Sequence, residues 1–489
     1  MPSTRDQATT HSRRTFLIGA GGSLAALLLP GAARSARAAV VDDSTVAQYY
    51  SRPDLSPPTI AVTTAGPSVA EGYAFVAPFT GPGQHGPLIV DNAGEPIWFR
   101  PSATLLVHDF RVQQLRGKPV LTWWEGTVDA NGYWKGSCVI ADTSYRVVQR
   151  LTTDFITEEH EFLITSRNTA LISAINLVPT DLSPYGAAAA GTLIEGVFQE
   201  IDISSGKVLL EWHSADHVTP DESYIPAVDA WDYFHLNAIG VAEDGNLLVS
   251  ARHTSTVYKV DRRTGAVIWR LGGKKNEFEL GPDARFAFQH DPRAHPGGLV
   301  SLFDNGAAST DTAIEPTSRA IVLALDTGAM KATLVEAIPN PHGSLTTAMG
   351  NMQLLADGGW FVGWGTTPEL SEFSHGGDLR FDASFVGGAM NYRAFRSVWK
   401  GAPLGRPDVA VSGNADGTLD VFASWNGATE VSHWQFLGGS TADALGTLRT
   451  VPRSGFETTV RLKAPPRYVA AVALDAAGHK LGTSATLST

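Results

Sequence analysis

Residues 235–271 read HLNAIGVAEDGNLLVSARHTSTVYKVDRRTGAVIWRL. Two apolar runs flank an Asp-Gly turn, and two more flank the turn Asp-Arg-Arg-Thr-Gly. Asp bonds its own backbone two residues on and Gly accepts a left-handed conformation, so each half reads as a β-hairpin. The stretch predicts four antiparallel strands of about six residues each. One such sheet cannot cover its own apolar faces, so further copies are expected to stack on it.

The copies are present. The Asp-Gly hairpin turn recurs with drift as DNAGEPIWF from Asp91, DTSYRVVQRL from Asp142 and DISSGKVLLEW from Asp202. It returns as DRRTGAVIWRL from Asp261, DTGAMKATLV from Asp326 and, most degenerately, DASFVGGAM from Asp382. The intervals are 51, 60, 59, 65 and 56 residues. The hairpin before it recurs as HDFRVQQLRGKPVLTWWE from His108, HEFLITSRNTALISAI from His160 and HDPRAHPGGLVSLFDNG from His290. A fifth copy, GNMQLLADGGWFVGWG from Gly350, lacks the histidine. An all-β fold follows, with a six-bladed β-propeller over residues 58–404. Its sixth unit is split: residues 58–99 supply strands around YAFVAPF and GPLIVD, and NYRAFRSVW at 391–399 closes the ring beside them. A β-sandwich alone explains neither the sixfold count nor the period. After Gly405 the phase breaks, and residues 405–489 predict a small C-terminal β-sandwich module of fibronectin or immunoglobulin type, for packing or docking.

The remaining 57 N-terminal residues read differently. SRRTFLIG at 12–19 sets twin arginines before an apolar stretch that runs to Leu29, and Ala36-Arg37-Ala38 offers a small-x-small cleavage site. Residues 1–38 are expected to be a twin-arginine signal peptide, too short in its apolar part to span a bilayer, and residues 39–57 a linker. The destination is then extracellular, periplasmic or the cell envelope. Without residues 1–38 the balance is 32 Lys+Arg against 48 Asp+Glu, a surface that repels nucleic acid and anionic membranes, so neither is an expected partner. Cys138 is the sole cysteine, so no internal disulfide supports the fold. The oligomeric state is left open.

His108, His160, His235 and His290 stand at the same place in four successive repeats, at the mouth of the strand expected to lie innermost. Rotation about a propeller axis would bring them to one end of the channel. Asn237 is two residues past His235 and shares its face by the strand period. Arg252 ends the strand pairing back on that segment. Asn351 and Gln353 stand where the fifth copy lost its histidine, with His253 off the repeated position. Several imidazoles with one guanidinium and amides, and no evident carboxylate pair, suit two chemistries. Neutral imidazoles of His108, His160, His235 and His290 could ligate a metal, in a propeller oxygenase or lyase. The same groups could hold an anion, with Arg252 forking onto oxyanions and one unprotonated histidine attacking a sulfuryl or phosphoryl centre. The guanidinium favours the anion. A third reading is a non-catalytic exported binding propeller presenting Trp123, Trp124 and Trp364, which at strand positions suit the core better.

DYFHLNAIG at 232–240, LLVSARHTSTVYKVDRRTGAVIWRLGGKK at 247–275 and FAFQHDPRAH at 286–295 resemble the arylsulfotransferase family, most closely its actinobacterial and fungal branch. The resemblance runs from about residue 58 to 400. It implies PAPS-independent transfer of a sulfuryl group from an aryl sulfate donor to a phenolic acceptor through a sulfohistidine, with no cofactor and no metal. Carried over by residue, His290 matches the nucleophile, His235 and Asn237 the His-x-Asn pair, Arg252 the arginine, and His160 the remaining catalytic histidine. His108, Asn351, Gln353 and His253 are then expected to bind substrate. The better-known bacterial members carry an N-terminal β-domain and a disulfide; this chain has a C-terminal module instead.

Overall fold

The computed structural model describes residues 45–489, so the expected signal peptide lies outside the described residues. The chain is all-β, built largely of four- and five-stranded sheets. Among the described residues, six sheets precede the C-terminal module. Their first strands, in chain order, are Leu106–Leu115, Ile156–Ile164, Leu236–Val241, His290–His295, Asn351–Leu354 and Phe395–Ser397. The first five of these strands touch in succession, Gln353 bonds the Arg396 backbone of the sixth, and Phe395–Ser397 touches Leu106–Leu115 in turn.

The sheet begun by Phe395–Ser397 is completed by Tyr73–Val76, Leu88–Val90 and Pro96–Phe99 from the other end of the chain, with Phe75 paired to Phe395. Ile60–Ala65 adds instead to the outer edge of the sheet begun by Asn351–Leu354. The two chain ends are thereby woven into adjacent sheets.

Six apolar clusters fill the spaces between successive sheets, each formed by residues of two neighbours. Alternation along a strand feeds two of them at once. Trp123 packs into the cluster holding Phe75 and Phe110, and Trp124 into the one holding Phe162 and Ile172. Both indoles are buried, as is Trp364, so none of the three forms a binding surface.

The repeated Asp is a turn device in five copies. Its Oδ1 accepts backbone N–H groups ahead of it, as Asp261 does from Arg263 at 2.9 Å and Thr264 at 2.7 Å, and Gly265 follows at φ +75°. Asp382 departs from the expected pattern. It lies inside the strand Leu379–Phe385 and takes hydrogen bonds from Ser371 and Thr63. The corresponding turn is Ser374–Asp378, where the Ser374 hydroxyl accepts the N–H of Asp378.

Residues beyond 405 form two further antiparallel sheets, Asp408–Gly413 with Leu419–Ser424 and Glu457–Leu462, and His433–Thr441 with Ala444–Pro452, Tyr468–Leu474, Lys480–Thr483 and Leu487–Ser488. Val421, Trp434, Phe436, Val460 and Ala471 share one core between them. This unit is joined to the rest: the Asn426 amide clasps both N–H and C=O of Phe99, and Phe456 enters the cluster of Phe361 and Phe381. The segment read as a linker is also engaged, because Ser51 bonds Ser424 and Glu457.

Candidate active site

Four of the first strands are irregular where the candidate residues lie, whereas Asn351–Leu354 pairs in regular register. Between His108 and Arg111 the pairing with the next strand slips by one residue, and the same slip occurs between His290 and Arg293. Asp109 and Asp291 take the left-handed conformation there, both at φ +54°. Such bulges turn consecutive side chains towards the axis that a regular strand would hide. In Ile156–Ile164 the bulge is wider: Thr157 pairs with Ala174 and Phe162 with Ile172, leaving residues 158–161 opposite Ser173 alone.

Other strand entries also carry left-handed residues, His235 at φ +55°, Phe288 at φ +54° and Met349 at φ +66°. Asn237 is itself the bulged residue, so its placement does not follow from the strand period. Its Nδ2 donates to the Gln289 carbonyl at 2.7 Å, next to His290, and its buried Oδ1 has no partner.

The acid of each His-acid pair goes inward. Asp109, Glu161 and Asp291 meet Arg111, Arg293 and Arg393 in one buried network. Arg111 to Glu161 spans 2.6 Å, Arg293 to Glu161 2.7 Å and Arg393 to Asp109 3.0 Å. Three carboxylates against three guanidiniums make a neutral plug at mid-channel. Beyond it, at the other ends of the same strands, a cavity of ≈ 700 Å³ is lined by Gln113, Ser166, Val241, His295 and Gln353. The imidazoles lie on the near side.

His290 is buried and both ring nitrogens are engaged. Nδ1 meets Asn305 Oδ1 at 2.7 Å. The Asn305 amide nitrogen donates to the carbonyls of Thr346 and Met349, so its oxygen must accept and His290 carries its proton on Nδ1. Nε2 is then the bare nitrogen, and it accepts the Met349 N–H at 3.1 Å. Burial, then the Arg252 charge, push the His290 pKa well below the ordinary value, so the ring is neutral.

Arg252 donates to His253 Nε2 at 2.8 Å and to the Thr347 carbonyl at 2.7 Å, with Nε buried and unpartnered. His253 is spent on these contacts, since its Nδ1 donates to the Asp232 carbonyl. It stacks on His235 at 4.4 Å between ring centroids, and His235 meets His160 edge-on at 4.8 Å. Tyr392 continues the row, 5.7 Å from His160 and stacked on His108 at 5.3 Å. His108 is enclosed by Phe79, Trp124, Trp134 and Tyr392 with neither nitrogen bonded, and burial lowers it to about 3.

Carboxylates, which sequence reasoning placed nowhere near this point, complete the site. Asp232 accepts the His235 backbone N–H at 2.9 Å and its Nδ1–H at 2.5 Å. Burial would raise Asp232, but His235 and His253 outweigh it and hold the acid at about 2. Glu158 Oε2 bonds His160 Nδ1, and Glu159 Oε1 lies 3.9 Å from Nε2 of the same ring. Burial pushes both glutamates up to about 8. Glu158, Glu159, His160, Asp232 and His235 line a cleft of ≈ 50 Å³, room for a water or two. The signals were local: Asp232 stands three residues before His235, and two glutamates precede His160.

Donor atoms of Asp232, His235 and His253, and separately of Glu158, Glu159 and His160, fall within 4.8 Å of one another. Both groups stand as hydrogen-bonded carboxylate–imidazole pairs, with His253 using both nitrogens. The four-imidazole ligand set is not assembled either, because His290 is bonded through both nitrogens and His108 is boxed in aromatic rings. Asn351 and Gln353 serve another purpose than expected: their amides clasp the backbone N–H and C=O of Ala394 and Arg396.

A neutral buried imidazole beside a guanidinium, with carboxylate-backed imidazoles next to it, is a site for attack on an electrophilic oxyanion group. The arylsulfotransferase (ASST) family model matches residues 111–386, more than half of the chain. The chain belongs to the arylsulfotransferase family, whose chemistry is sulfuryl transfer between an aryl sulfate and a phenol. No curated protein matches it. Among solved structures it is similar to a Bacteroides caccae protein of unknown function, at 13% identity over 66% of this chain and 98% of that one, TM-score 0.41. It is similar also to virginiamycin B lyase from Staphylococcus aureus, at 9% identity over 74% and 95%, TM-score 0.32. A periplasmic gluconolactonase of Pseudomonas aeruginosa follows at 13% identity over 86% and 96%, TM-score 0.27.

Proposed function

We propose that the protein is an exported, PAPS-independent arylsulfotransferase working by ping-pong transfer through a sulfohistidine at His290. In this reading residues 58–404 are a six-bladed propeller, residues 405–489 a β-sandwich docked on it, and residues 1–38 a twin-arginine leader. The observation that carries the reading is the hydrogen-bond set of His290. Asn305 holds the proton on Nδ1 and leaves Nε2 bare in a buried, neutral ring, the form a nucleophile needs.

The aryl sulfate would seat its oxygens against Arg252 and His160, with Asn237 beside them. Nε2 of His290 displaces the phenol in line, and the positive ring that results is supported through Nδ1–H by Asn305. A phenolic acceptor then takes the group back. Attack requires the Met349 N–H to leave Nε2 and the cleft to widen, since ≈ 50 Å³ does not hold an aromatic ring. The left-handed Met349 marks the segment that has to move.

His290→Asn removes the lone pair. It is expected to abolish release of nitrophenol from a chromogenic aryl sulfate, and intact-mass analysis of the wild type mixed with donor alone should find one sulfuryl adduct. Turnover near wild type in the variant ends the assignment. Metal analysis and chelator treatment separate this reading from a metal-dependent one.

A further inference from the structure

We propose that Glu158, acting through His160, holds the proton that the departing phenolate takes up and the acceptor phenol gives back. This rests on the sulfuryl-transfer reading above and assigns its proton balance to a positioning residue.

The two carboxylate–imidazole pairs of the site differ in their hydrogen bonds. Asp232 receives two N–H donors from His235, one on each oxygen. Glu158 is 4% exposed, meets His160 Nδ1 through Oε2, and its buried Oε1 has no partner. An ionised carboxylate offers about four acceptor sites and is costly to bury without donors. Among the described residues no guanidinium pairs with Glu158: Arg111, Arg293 and Arg393 are held by the plug, and Arg252 by His253 and Thr347. The groups around it are His160, Glu159, His235, Asp232, Tyr392, Cys138 and the Ser173 hydroxyl. Its acidic neighbours oppose a second negative charge, and burial outweighs the Ser173 contact. Glu158 is therefore the acid: its O–H donates to His160 Nδ1, and His160 presents Nε2–H to the cleft. His235, with Nδ1–H on ionised Asp232, presents a bare Nε2.

The proton balance follows. As the His290 Nε2–S bond forms, the S–O(aryl) bond breaks and its electron pair leaves on the phenolate oxygen. That oxygen takes the proton from His160 Nε2, and Nδ1 takes the proton of Glu158. The pair now stands as carboxylate against Nδ1–H, with Nε2 bare. The acceptor phenol gives its proton to that Nε2 as its oxygen attacks sulfur, the N–S bond returns its electrons to His290, and Nδ1–H goes back to Glu158. One group serves both half-reactions, as reversibility demands, and no outside acid or base is consumed.

The test uses Glu158→Gln and Glu158→Ala with 4-nitrophenyl sulfate, whose phenolate leaves readily, and phenyl sulfate, whose phenolate leaves poorly. Gln can donate N–H to Nδ1 but cannot relay a proton. The phenyl-to-nitrophenyl rate ratio is expected to fall about 100-fold in both variants relative to wild type. Gln should retain more nitrophenyl transfer than Ala, without the wild-type loss of rate above about pH 8. A second readout needs no turnover. Wild-type Glu158 stays protonated when folded but ionises above about pH 4.5 when unfolded, so wild-type stability drops as pH rises from there to about 8. The Tm of Glu158→Gln minus that of wild type should grow over this window. Equal slowing of both donors, or a Tm difference flat with pH, overturns the proposal. If no adduct forms on wild type at all, the transfer reading fails with the relay, and the Tm series still reports whether Glu158 carries the proton.

Discussion

His290 owes its state to two neighbours that the sequence places 15 and 59 residues away, Asn305 and Met349. Asn305 sits just after Asp304 on the strand paired with His290, so a hairpin brings it within reach. Met349 arrives only through ring packing. In the proposed reading Arg252 meets the substrate as well as the nucleophile; its charge, after burial, keeps His290 neutral. Arg252→Gln is expected to lower kcat/KM about 10- to 100-fold through the lost charged contact. His290 would also rise towards its ordinary value. Because the cationic ring cannot attack, the acid limb of the pH–rate profile should then move to higher pH. A lower rate with an unmoved limb would confine Arg252 to binding.

At the scale of the strand, the bulge is what makes a site. Alternation would place Glu158 and His160 on one face and Glu159 on the other; the wide bulge opposite Ser173 sends all three to the cleft. The repeated hairpins and the histidines at their mouths were legible because turn chemistry and apolar alternation are local. The bulges were not, since an extra residue in one strand is defined only against its partner. For that reason the Glu158–Glu159 pair went unseen, and so did Asp232, whose role rests on its contacts with His235. Asn351 and Gln353 read as substrate ligands because their side chains were polar at an inner strand. Their partners prove to be the backbone of Phe395–Ser397 and its approach. Asn351→Ala should cost about 1–3 kcal/mol in denaturant unfolding, from two orphaned backbone groups, with KM for the aryl sulfate unchanged. A KM shift without loss of stability would return Asn351 to the substrate.

At the scale of the molecule, three first strands and Arg393 meet in a neutral plug that separates the histidine cleft from the ≈ 700 Å³ cavity opposite. Burial alone would raise Glu161, but Arg293, Arg393 and Arg111 outweigh it and hold the acid well below the carboxylate range. Glu161→Gln leaves three guanidiniums against two carboxylates and should destabilise the protein by about 3–5 kcal/mol at neutral pH. A depressed pKa stabilises above the unfolded value and is lost as pH falls through the folded one. The difference between wild type and variant should therefore shrink below about pH 4.5. Denaturant melts across that range check it, and a constant gap would remove Glu161 from the plug.

By itself the sequence determined what depends on near neighbours: strands, Asp-Gly turns, a recurring two-hairpin unit, the split unit and the histidine at several strand mouths. Apolar alternation and turn residues act over a few positions, so they can be read in one dimension. The tertiary structure decided which groups share a proton or a charge. Arg393 reaches Asp109 across 284 positions and Glu161 across 232, and His160 meets His235 across a sheet boundary. Protonation and pairing in a buried site depend on distance and solvent exclusion, and neither exists until the sheets have packed.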